Sequence, residues 1–310
     1  MQSSAPSTVL RIGTRGSPLA LAQARLVRDC LAAAHALASD RITLEIIKTT
    51  GDMVRDRPLS EIGGKGLFTK EIEAALQAGA IDLAVHSAKD MPTVLPDGLA
   101  IAAVLAREDP RDVFISRRSD SLRNLPQGAT VGTASLRRQA LVKRLRPDLA
   151  VIPLRGNVET RLRKLDEVDA TLLALAGLKR LGLEAAATAV LSVDEFLPAV
   201  GQGIIAIEAR GDDAGTCALL DAVSHADSGT ALAAERAFLA VLDGSCRTPI
   251  AGHATIAAGQ LHFRGLIAKP DGSAAFACER RGAAADAVRL GADAGRELKA
   301  RAGADFFAPV

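Results

Sequence analysis

The stretch that decides the fold is Val9-Leu-Arg-Ile-Gly-Thr-Arg-Gly-Ser-Pro-Leu-Ala-Leu-Ala-Gln23, one complete strand–turn–helix unit. Its apolar start predicts a short strand. Ser17 is a good N-cap, and Pro18 takes the first helical position, where its missing N–H costs nothing. The same unit returns as a strand at Ala129–Val131, a Gly132-Thr-Ala-Ser135 turn and a helix from Leu136. The chain therefore carries an internal duplication.

The duplication continues through a second strand, a helix and a third strand in each half. The matching segments are Leu44–Thr49 with Leu149–Arg155, Leu67–Ala78 with Glu159–Leu165, and Ile81–Val85 with Val168–Ala174. Each third strand leads into a loop with a lysine, Lys89 or Lys179. Two βαβαβ halves predict two mostly parallel sheets with helices on their faces. Because ligands bind beyond the carboxyl ends of such strands, we expect the loops of both halves to line one cleft.

The rest of the chain predicts a crossover and a third domain. Ala106–Asp112 is suited to a crossover between the halves, and the apolar run Ile204–Ala209 could return to the first sheet as an added strand. After about Asp221 a helical pattern is followed by alternating segments, which predict antiparallel strands and a closing helix around Ala283–Ala300. We therefore expect an α/β domain at 1–105 plus 198–221, a second at 106–197, and a smaller α+β domain at 222–310.

Composition indicates a globular protein and argues against several classes of partner. Of 310 residues, 48% are hydrophobic and 24% charged, and the formal net charge is only +2. This near-neutral charge and the absence of Trp and Tyr disfavour a nucleic-acid-binding module. No apolar run approaches a membrane span, and Met1–Thr8 lacks the features of a signal peptide. The four cysteines are scattered, without metal-ligand spacing or a disulfide framework, so we expect no metal and a cytoplasmic location.

Several arginines fall where the loops should meet. Arg137 and Arg138 occupy the first turn of a predicted helix, where the helix dipole disfavours cations and exposed N–H groups attract anions. This arrangement lowers stability slightly unless an anion binds. Other arginines lie in the corresponding turn of the first half and in the later loops of the second: Arg15, Arg155, Arg161 and Arg180. The set favours a cleft for a ligand with several carboxylates, held bidentately, over scattered surface charge.

Two further stretches carry residue types suited to chemistry. Lys89 and Asp90 follow the buried strand Ile81–Val85, where a carboxylate can hold a positive charge on a substrate or move a proton. The alternative is a surface ion pair, and the neighbouring His86 is interpreted as a structural histidine. Asp243-Gly-Ser-Cys-Arg-Thr-Pro249 presents Cys246 on a turn beside Arg247, which could favour the thiolate.

A Gly-rich segment lies between the second strand and the second helix of the first half. Thr49–Gly66 has the composition of a mobile lid, and the spacing of its Gly63-Gly-Lys-Gly66 piece does not match a nucleotide loop. Lys65 and Phe68 are left without a firm role.

Taken together, these stretches resemble those of one family, the porphobilinogen deaminases (hydroxymethylbilane synthases), in the family's order over nearly the whole chain. The matching stretches are Arg11–Gln23, Gly64–Glu71, His86–Pro92, Gly132–Gln139, Arg155–Arg161, Ala176–Gly182, Val200–Gly203, and Cys246 with Pro249. One departure is local: the family often has Gly-Gly before the cysteine, and this chain has Gly244-Ser245. Serine should still fit an exposed turn.

The resemblance implies a fold, a cofactor and a reaction. It implies two doubly wound domains similar to those of periplasmic binding proteins, plus the smaller α+β domain with an antiparallel sheet. It also implies a dipyrromethane cofactor, joined by a thioether to Cys246. The enzyme would join four porphobilinogen molecules head to tail with release of ammonia, then hydrolyse off hydroxymethylbilane. It would act as a monomer, without nucleic acid or membrane.

The resemblance also implies roles for the residues singled out above. Asp90 matches the catalytic aspartate, which would stabilise the azafulvene cation left when ammonia departs. The remaining matches are binding residues: Lys89, Thr133, Ser135, Arg137, Arg138 and Asp90 toward the cofactor, and Arg15, Ser17, Arg155, Arg161 and Arg180 toward the substrate. The competing interpretation is a non-catalytic, two-lobed protein that binds a small polyanion. It explains the duplication and the arginines, but neither Asp90 nor the domain with the thiol.

Overall fold

The computed structural model describes residues 10–53, 66–242, 248–303 and 306. Its strands are β1 (Leu10–Thr14), β2 (Ile42–Ile46), β3 (Leu83–Ser87), β4 (Leu99–Val104), β5 (Asp112–Ile115), β6 (Thr130–Gly132), β7 (Ala150–Ile152), β8 (Ala170–Ala174), β9 (Ala189–Val190), β10 (Ile205–Arg210), β11 (Ile250–Ala257), β12 (Gln260–Ala268) and β13 (Ala275–Ala283). Its α-helices are α1 (Pro18–Ala34), α2 (Thr50–Met53), α3 (Lys70–Gln77), α4 (Leu136–Leu145), α5 (Val158–Arg163), α6 (Leu175–Arg180), α7 (Ala214–Asp221), α8 (Ala226–Val241) and α9 (Ala287–Ala302).

The first sheet has the strand order β2-β1-β3-β10-β4. β1 pairs in parallel with β2 and β3, whereas β10 runs antiparallel to β3 and β4. Successive side chains of a strand point to opposite faces. Leu83 and Val85 of β3 therefore join the core under α1, with Leu31, while Ala84 joins the core under α3, with Leu76. Helices cover both faces of this sheet.

The second sheet repeats this arrangement in the order β7-β6-β8-β5-β9. β6 pairs in parallel with β7 and β8, and β5 runs antiparallel to β8 and β9. Leu141 of α4 packs with Phe114 and Leu172, while Leu178 of α6 packs with Leu173 in a separate cluster. Each strand of one sheet thus has a counterpart at the same place in the other, and the predicted duplication is confirmed.

The antiparallel strand of each sheet is the first strand after the chain crosses between the sheets. β5 follows the crossing from β4, and β10 follows the return from β9. The predicted return of Ile204–Ala209 to the first sheet is confirmed, with strand bounds Ile205–Arg210. The exact residue bounds of the three domains stay a prediction.

Two local expectations were wrong. The helix expected from Leu67 begins at Lys70, because Gly66 has a positive φ of 78° and its carbonyl accepts the N–H groups of Thr69 and Lys70 in a turn. Lys179, expected in a loop, lies in the last turn of α6.

The C-terminal part is an antiparallel sheet, β11-β12-β13, with α8 and α9 packed on it. Phe238 of α8 and Phe263 of β12 lie at its centre, with ring centroids 5.0 Å apart. The two helices approach so closely that a Cβ at Gly291 would come within 2.0 Å of the carbonyl oxygen of Ala234. The predicted α+β unit is confirmed.

Candidate active site

The two repeated turns cap helices in the same way. The Ser17 hydroxyl accepts a hydrogen bond from the N–H of Ala20 at 3.3 Å, at the start of α1. The Ser135 hydroxyl accepts one from the N–H of Arg138 at 3.4 Å, at the start of α4. The buried Thr133 hydroxyl accepts the N–H of Ser135 at 3.2 Å, which fixes the second turn. These turns bring the residues that follow them to the carboxyl ends of β1 and β6.

A pocket opens at this end of the first sheet. It is lined by residues that include Arg15, Ser17, Gln23, Phe68, His86, Ser87 and Asp90. The Arg15 guanidinium lies 4.1 Å from the centroid of the Phe68 ring, a cation–π contact. Asp90 is exposed and ends a short 3-10 helix, Ala88–Asp90, directly after β3. The structure thus brings Arg15, Ser17 and Asp90 together.

Arg137 and Arg138 have a different environment, since both are buried. An Nη2–Oδ2 contact of 2.8 Å joins Arg137 to Asp112, and an Nη2–Oδ1 contact of 2.7 Å joins Arg138 to the same carboxylate. Burial raises the pKa of Asp112, but the two guanidinium groups outweigh that effect and hold it at about 2. The expectation that these arginines need an anion is therefore met within the chain by Asp112.

Lys89 connects the two sheets through a buried glutamine. Its Nζ lies 3.3 Å from Oε1 of Gln202, and Nε2 of Gln202 donates to the carbonyl of Pro110 at 2.7 Å and to Oδ1 of Asp112 at 3.2 Å. Because Nε2 is engaged on that side, the amide oxygen faces the lysine. Burial, reinforced by the charge of Arg138, lowers the pKa of Lys89 to about 8.

The remaining predicted arginines lie in the second half. Nε of Arg161 donates to the carbonyl of Gly156 at 2.8 Å. Burial and the charge of Arg138 lower the pKa of Arg161 to about 10, while the carboxylate of Asp90 opposes the shift. Asp90 of the first half therefore acts on a cation of the second.

Arg155 and Arg180 are half-buried. Nη1 of Arg155 is buried and has no hydrogen-bond partner among the described residues. Nη2 of Arg180 donates to the carbonyl of Gly203 at 2.6 Å, and burial lowers the pKa of Arg180 to about 10. Arg155 is thus the one of these two with an unused buried donor in the described part of the chain.

Sequence reasoning missed several residues that organise the site. Asp112 was part of the expected crossover, and Gln202 part of a glycine-rich turn. Glu235 is fully buried and accepts hydrogen bonds from Arg107 and from the N–H groups of Gly201 and Ala254. A signal for it exists, because Glu235 interrupts the apolar face of a helical pattern.

Some expectations fall outside the described residues, namely Cys246, Lys65 and most of the expected lid. Within the described ranges, no group of three or more His, Cys, Asp or Glu side chains could hold a metal ion. No helix in the same ranges is long and apolar enough to cross a membrane.

Comparison with known proteins gives matches over nearly the full chain. The family model "porphobilinogen deaminase, dipyromethane cofactor binding domain" matches residues 10–218, and the C-terminal domain model of the same family matches residues 230–300. A curated porphobilinogen deaminase from Nitrobacter hamburgensis is 62% identical over 310 residues, covering 99% of this chain and 98% of the relative. One from Paracoccus denitrificans is 57% identical over 304 residues, 97% of each chain.

Among solved structures, a putative methionine-binding lipoprotein from Bacillus subtilis aligns with 14% identity and a TM-score of 0.43. The alignment covers 71% of this chain and 91% of that one.

Proposed function

Since the chain belongs to the porphobilinogen deaminase family, we propose that Asp90 is its catalytic carboxylate. The enzyme is a transferase of tetrapyrrole biosynthesis with a dipyrromethane cofactor. It joins four porphobilinogen molecules head to tail with release of ammonia, then hydrolyses off hydroxymethylbilane. The observation that carries the role of Asp90 is its position, exposed at the mouth of the pocket and close enough to Arg161 to change that residue's pKa.

The chemistry gives a carboxylate at this position a use. When the C–N bond of the protonated aminomethyl arm breaks, neutral ammonia leaves with the electron pair and an azafulvene cation remains. A carboxylate already positioned beside the developing charge stabilises it in the transition state. Asp90 ends the short 3-10 helix after β3, so the rigid sheet holds its backbone. Its carboxylate would therefore need little reorganisation when the charge develops.

We propose that the cationic side chains hold the carboxylates of cofactor and substrate. The fit is favourable at Arg155, whose buried Nη1 has no partner in the described residues and would gain one from a ligand carboxylate. Arg161, Arg180, Arg15 and Ser17 complete the proposed substrate set. The cofactor, when bound, supplies the pyrrole carbon to which the first substrate is joined.

Lys89, Thr133, Ser135, Arg137 and Arg138 form the proposed cofactor set. Arg137 and Arg138 share the single carboxylate of Asp112. The triad therefore retains one net positive charge, which a ligand carboxylate can neutralise. Lys89 is half-buried beside it, and a ligand carboxylate would stabilise its ammonium form.

We also propose the cofactor anchor, the domain bounds and the oligomeric state and location of the protein. Cys246 is the residue that anchors the cofactor, through a thioether. The domains span 1–105 plus 198–221, 106–197 and 222–310. The protein acts as a monomer in the cytoplasm, which fits the free thiols of Cys30, Cys217 and Cys278.

Replacing Asp90 tests its proposed role. We expect Asp90→Ala to fold normally and to release ammonia at least about 10²-fold more slowly, the usual effect of removing one group that stabilises a transition-state charge. The matched control is Asp97→Ala, which removes an exposed carboxylate from the loop before β4, at the opposite edge of the sheet. Ammonia release and melting temperature are measured for both. An Asp90→Ala protein as active as the Asp97→Ala protein would refute the assignment.

A further inference from the structure

Three ionisable side chains lie buried next to the pocket: His86 of β3, Glu208 of β10 and Glu73 of α3. Nε2 of His86 is 3.1 Å from Oε2 of Glu208, and the two side chains are 4% and 0% exposed. Their strands are adjacent and antiparallel, with Ala206 opposite His86 and Glu208 opposite Ala84. The β10–β3 pairing therefore fixes this contact, and α3 covers it with Glu73.

The cluster is short of hydrogen bonds. Oε1 of Glu208 and Oε1 of Glu73 are buried and have no hydrogen-bond partner among the described residues. The polar contact of Nε2 of His86 is the one with Oε2 of Glu208. Buried carboxylates without partners are costly, and the cost is reduced when neighbouring groups share a proton. Burial raises the pKa of Glu73 and the charge of Glu208 raises it further, while a hydrogen bond with Thr69 lowers it. The three side chains therefore form one buried acid–base cluster.

The histidine is the member of the cluster that reaches the pocket. His86 lines it together with Arg15 and Asp90. Nε2 faces Glu208, so Nδ1 is the ring nitrogen left for the pocket. A carboxylate behind one imidazole nitrogen makes the other a better base, as in hydrolase triads. The site therefore has a buried acid–base group that the role of Asp90 does not use.

Other charges surround the cluster from the neighbouring elements. Glu71 on α3 acts on Glu73, and Arg236 on α8 acts on Glu208. Arg15 and Asp90 line the same pocket as His86. Arg236 also donates to the carbonyls of Pro92 and Thr93, at 2.9 Å each, which holds it beside the loop that follows Asp90.

We propose that His86, backed by Glu208 and Glu73, is the base that takes up the proton released in each condensation of the proposed reaction. The inference rests on the proposed function and adds a second acid–base residue to it. Asp90 stabilises the cation, and His86 accepts the proton. The two tasks thus belong to two side chains that line one pocket.

The incoming aminomethyl arm reacts in its protonated, ammonium form. Its C–N bond breaks, and neutral ammonia leaves with the electron pair of that bond. The α-carbon of the chain-end pyrrole forms the new C–C bond. That carbon then loses its proton to Nδ1 of His86, and the C–H electron pair returns to the pyrrole ring. The imidazolium passes the proton to the released ammonia, which departs as ammonium, and His86 is neutral again.

The test uses the cofactor-loaded enzyme and the variants His86→Asn, His86→Ala, Glu208→Gln and Glu73→Gln, with His253→Ala as the control. Intact mass checks cofactor loading, rapid quenching measures the rate of adding one pyrrole from pH 5 to 9, and melting temperature reports on the fold. We expect His86→Asn to keep its cofactor and to add pyrrole at least about 10²-fold more slowly, because a positioned base contributes that much. We expect its rate to lose the acidic limb of the wild-type profile.

Glu208→Gln and Glu73→Gln keep the size of each side chain and remove its carboxylate. We expect both variants to add pyrrole more slowly than the wild-type enzyme, and the larger loss from Glu208→Gln, because Glu208 contacts Nε2 of His86 directly. In His86→Ala, added imidazole should restore part of the rate. The matched control is His253→Ala, a half-buried histidine in β11 of the C-terminal sheet, which should leave the profile unchanged.

The outcomes separate this inference from the proposed function. Wild-type enzyme that adds no pyrrole contradicts the proposed function and the inference together. Wild-type enzyme that adds pyrrole, with a His86→Asn variant of equal rate and unchanged pH profile, overturns only the inference. A structural role for His86 would show itself as a rate that falls together with the melting temperature, an acidic limb that stays in the profile, and no gain in rate from imidazole. That result also overturns the inference.

Discussion

The turns after β1 and β6 have nearly the same sequence and the same backbone role, yet their arginines do different things. Both turns end in a serine that caps a helix. Arg15 stays at the pocket, stacked on Phe68, whereas Arg137 and Arg138 are buried on Asp112. The difference lies in position as well as in neighbours. Arg15 precedes its cap serine and meets Phe68 of the turn before α3, whereas Arg137 and Arg138 follow theirs in the first turn of α4 and meet Asp112 of β5. The repeated units therefore share a backbone, while the placement and the neighbours of each charge decide what it does.

The lysines after the third strands differ in the same way. Lys89 is half-buried near Arg138, and its pKa is lowered to about 8. Lys179 is exposed and lies 2.8 Å from Oε1 of Glu108, which raises its pKa. Lys89 can thus gain an anionic partner from a ligand, whereas Lys179 already has one in Glu108.

Among substitutions that compare the two halves, we expect Asp112→Asn to cause the largest loss of stability. This change leaves two buried guanidinium groups short of their anion, and we expect a loss of about 3–5 kcal/mol in the free energy of unfolding. The matched change in the first half is Asp82→Asn, which removes the partly exposed partner of Arg11 and should cost about 1 kcal/mol or less. Urea unfolding measures both. Equal losses would contradict the contrast between the halves.

The lysine contrast can be measured by pH-dependent acetylation followed by peptide mass analysis. The reactive fraction of Lys89 should titrate near pH 8, and that of Lys179 above the usual range for lysine. Bound substrate should protect Lys89 and leave Lys179 reactive. Titration of both lysines at the same pH would show that the local charges do not differ as described.

The depressed pKa of Lys89 also gives stability a pH dependence. Between pH 8 and 10.5 the unfolded chain binds a proton on Lys89 that the folded protein does not. Stability therefore rises with pH across that window, and below it the buried ammonium lowers stability. Relative to Lys89→Met, the wild-type protein should gain stability as pH rises from 8 to 10.5, as measured by urea unfolding. A difference that stays constant with pH would argue against a buried ammonium.

The smallest effect should be the same in both halves. Ser17→Ala and Ser135→Ala each remove one N-cap hydrogen bond, and we expect each to lower the unfolding free energy by about 1 kcal/mol. Ser224→Ala, an exposed position between α7 and α8, serves as the control. A much larger loss at one cap would mean that its serine does more than start a helix.

The sequence predicted those parts of the molecule that depend on local pattern. The repeated strand–turn–helix units, the return of β10 to the first sheet and the antiparallel C-terminal sheet all follow from periodicity, caps and turn residues. Resemblance to a family then supplied the reaction, which the comparisons support.

The contacts that arrange the site were not predictable in this way. Asp112 is 25 residues from Arg137 in the chain, and only the packing of β5 beside β8 brings them together. The same holds for His86 and Glu208, which meet through pairing of β3 with a strand from the other end of the α/β region. A lone histidine after a strand carried no signal of a buried carboxylate. Element bounds also shifted where a glycine with positive φ delayed α3.

The most direct test of the account is the intact mass of the purified, acid-denatured protein, before and after incubation with porphobilinogen. We predict a covalent excess of two linked pyrroles that grows in single-pyrrole steps with substrate and is absent from Cys246→Ser. A protein that stays unmodified, even after the apo form meets substrate or product, would contradict the account and favour a two-lobed protein that binds polyanions without turnover.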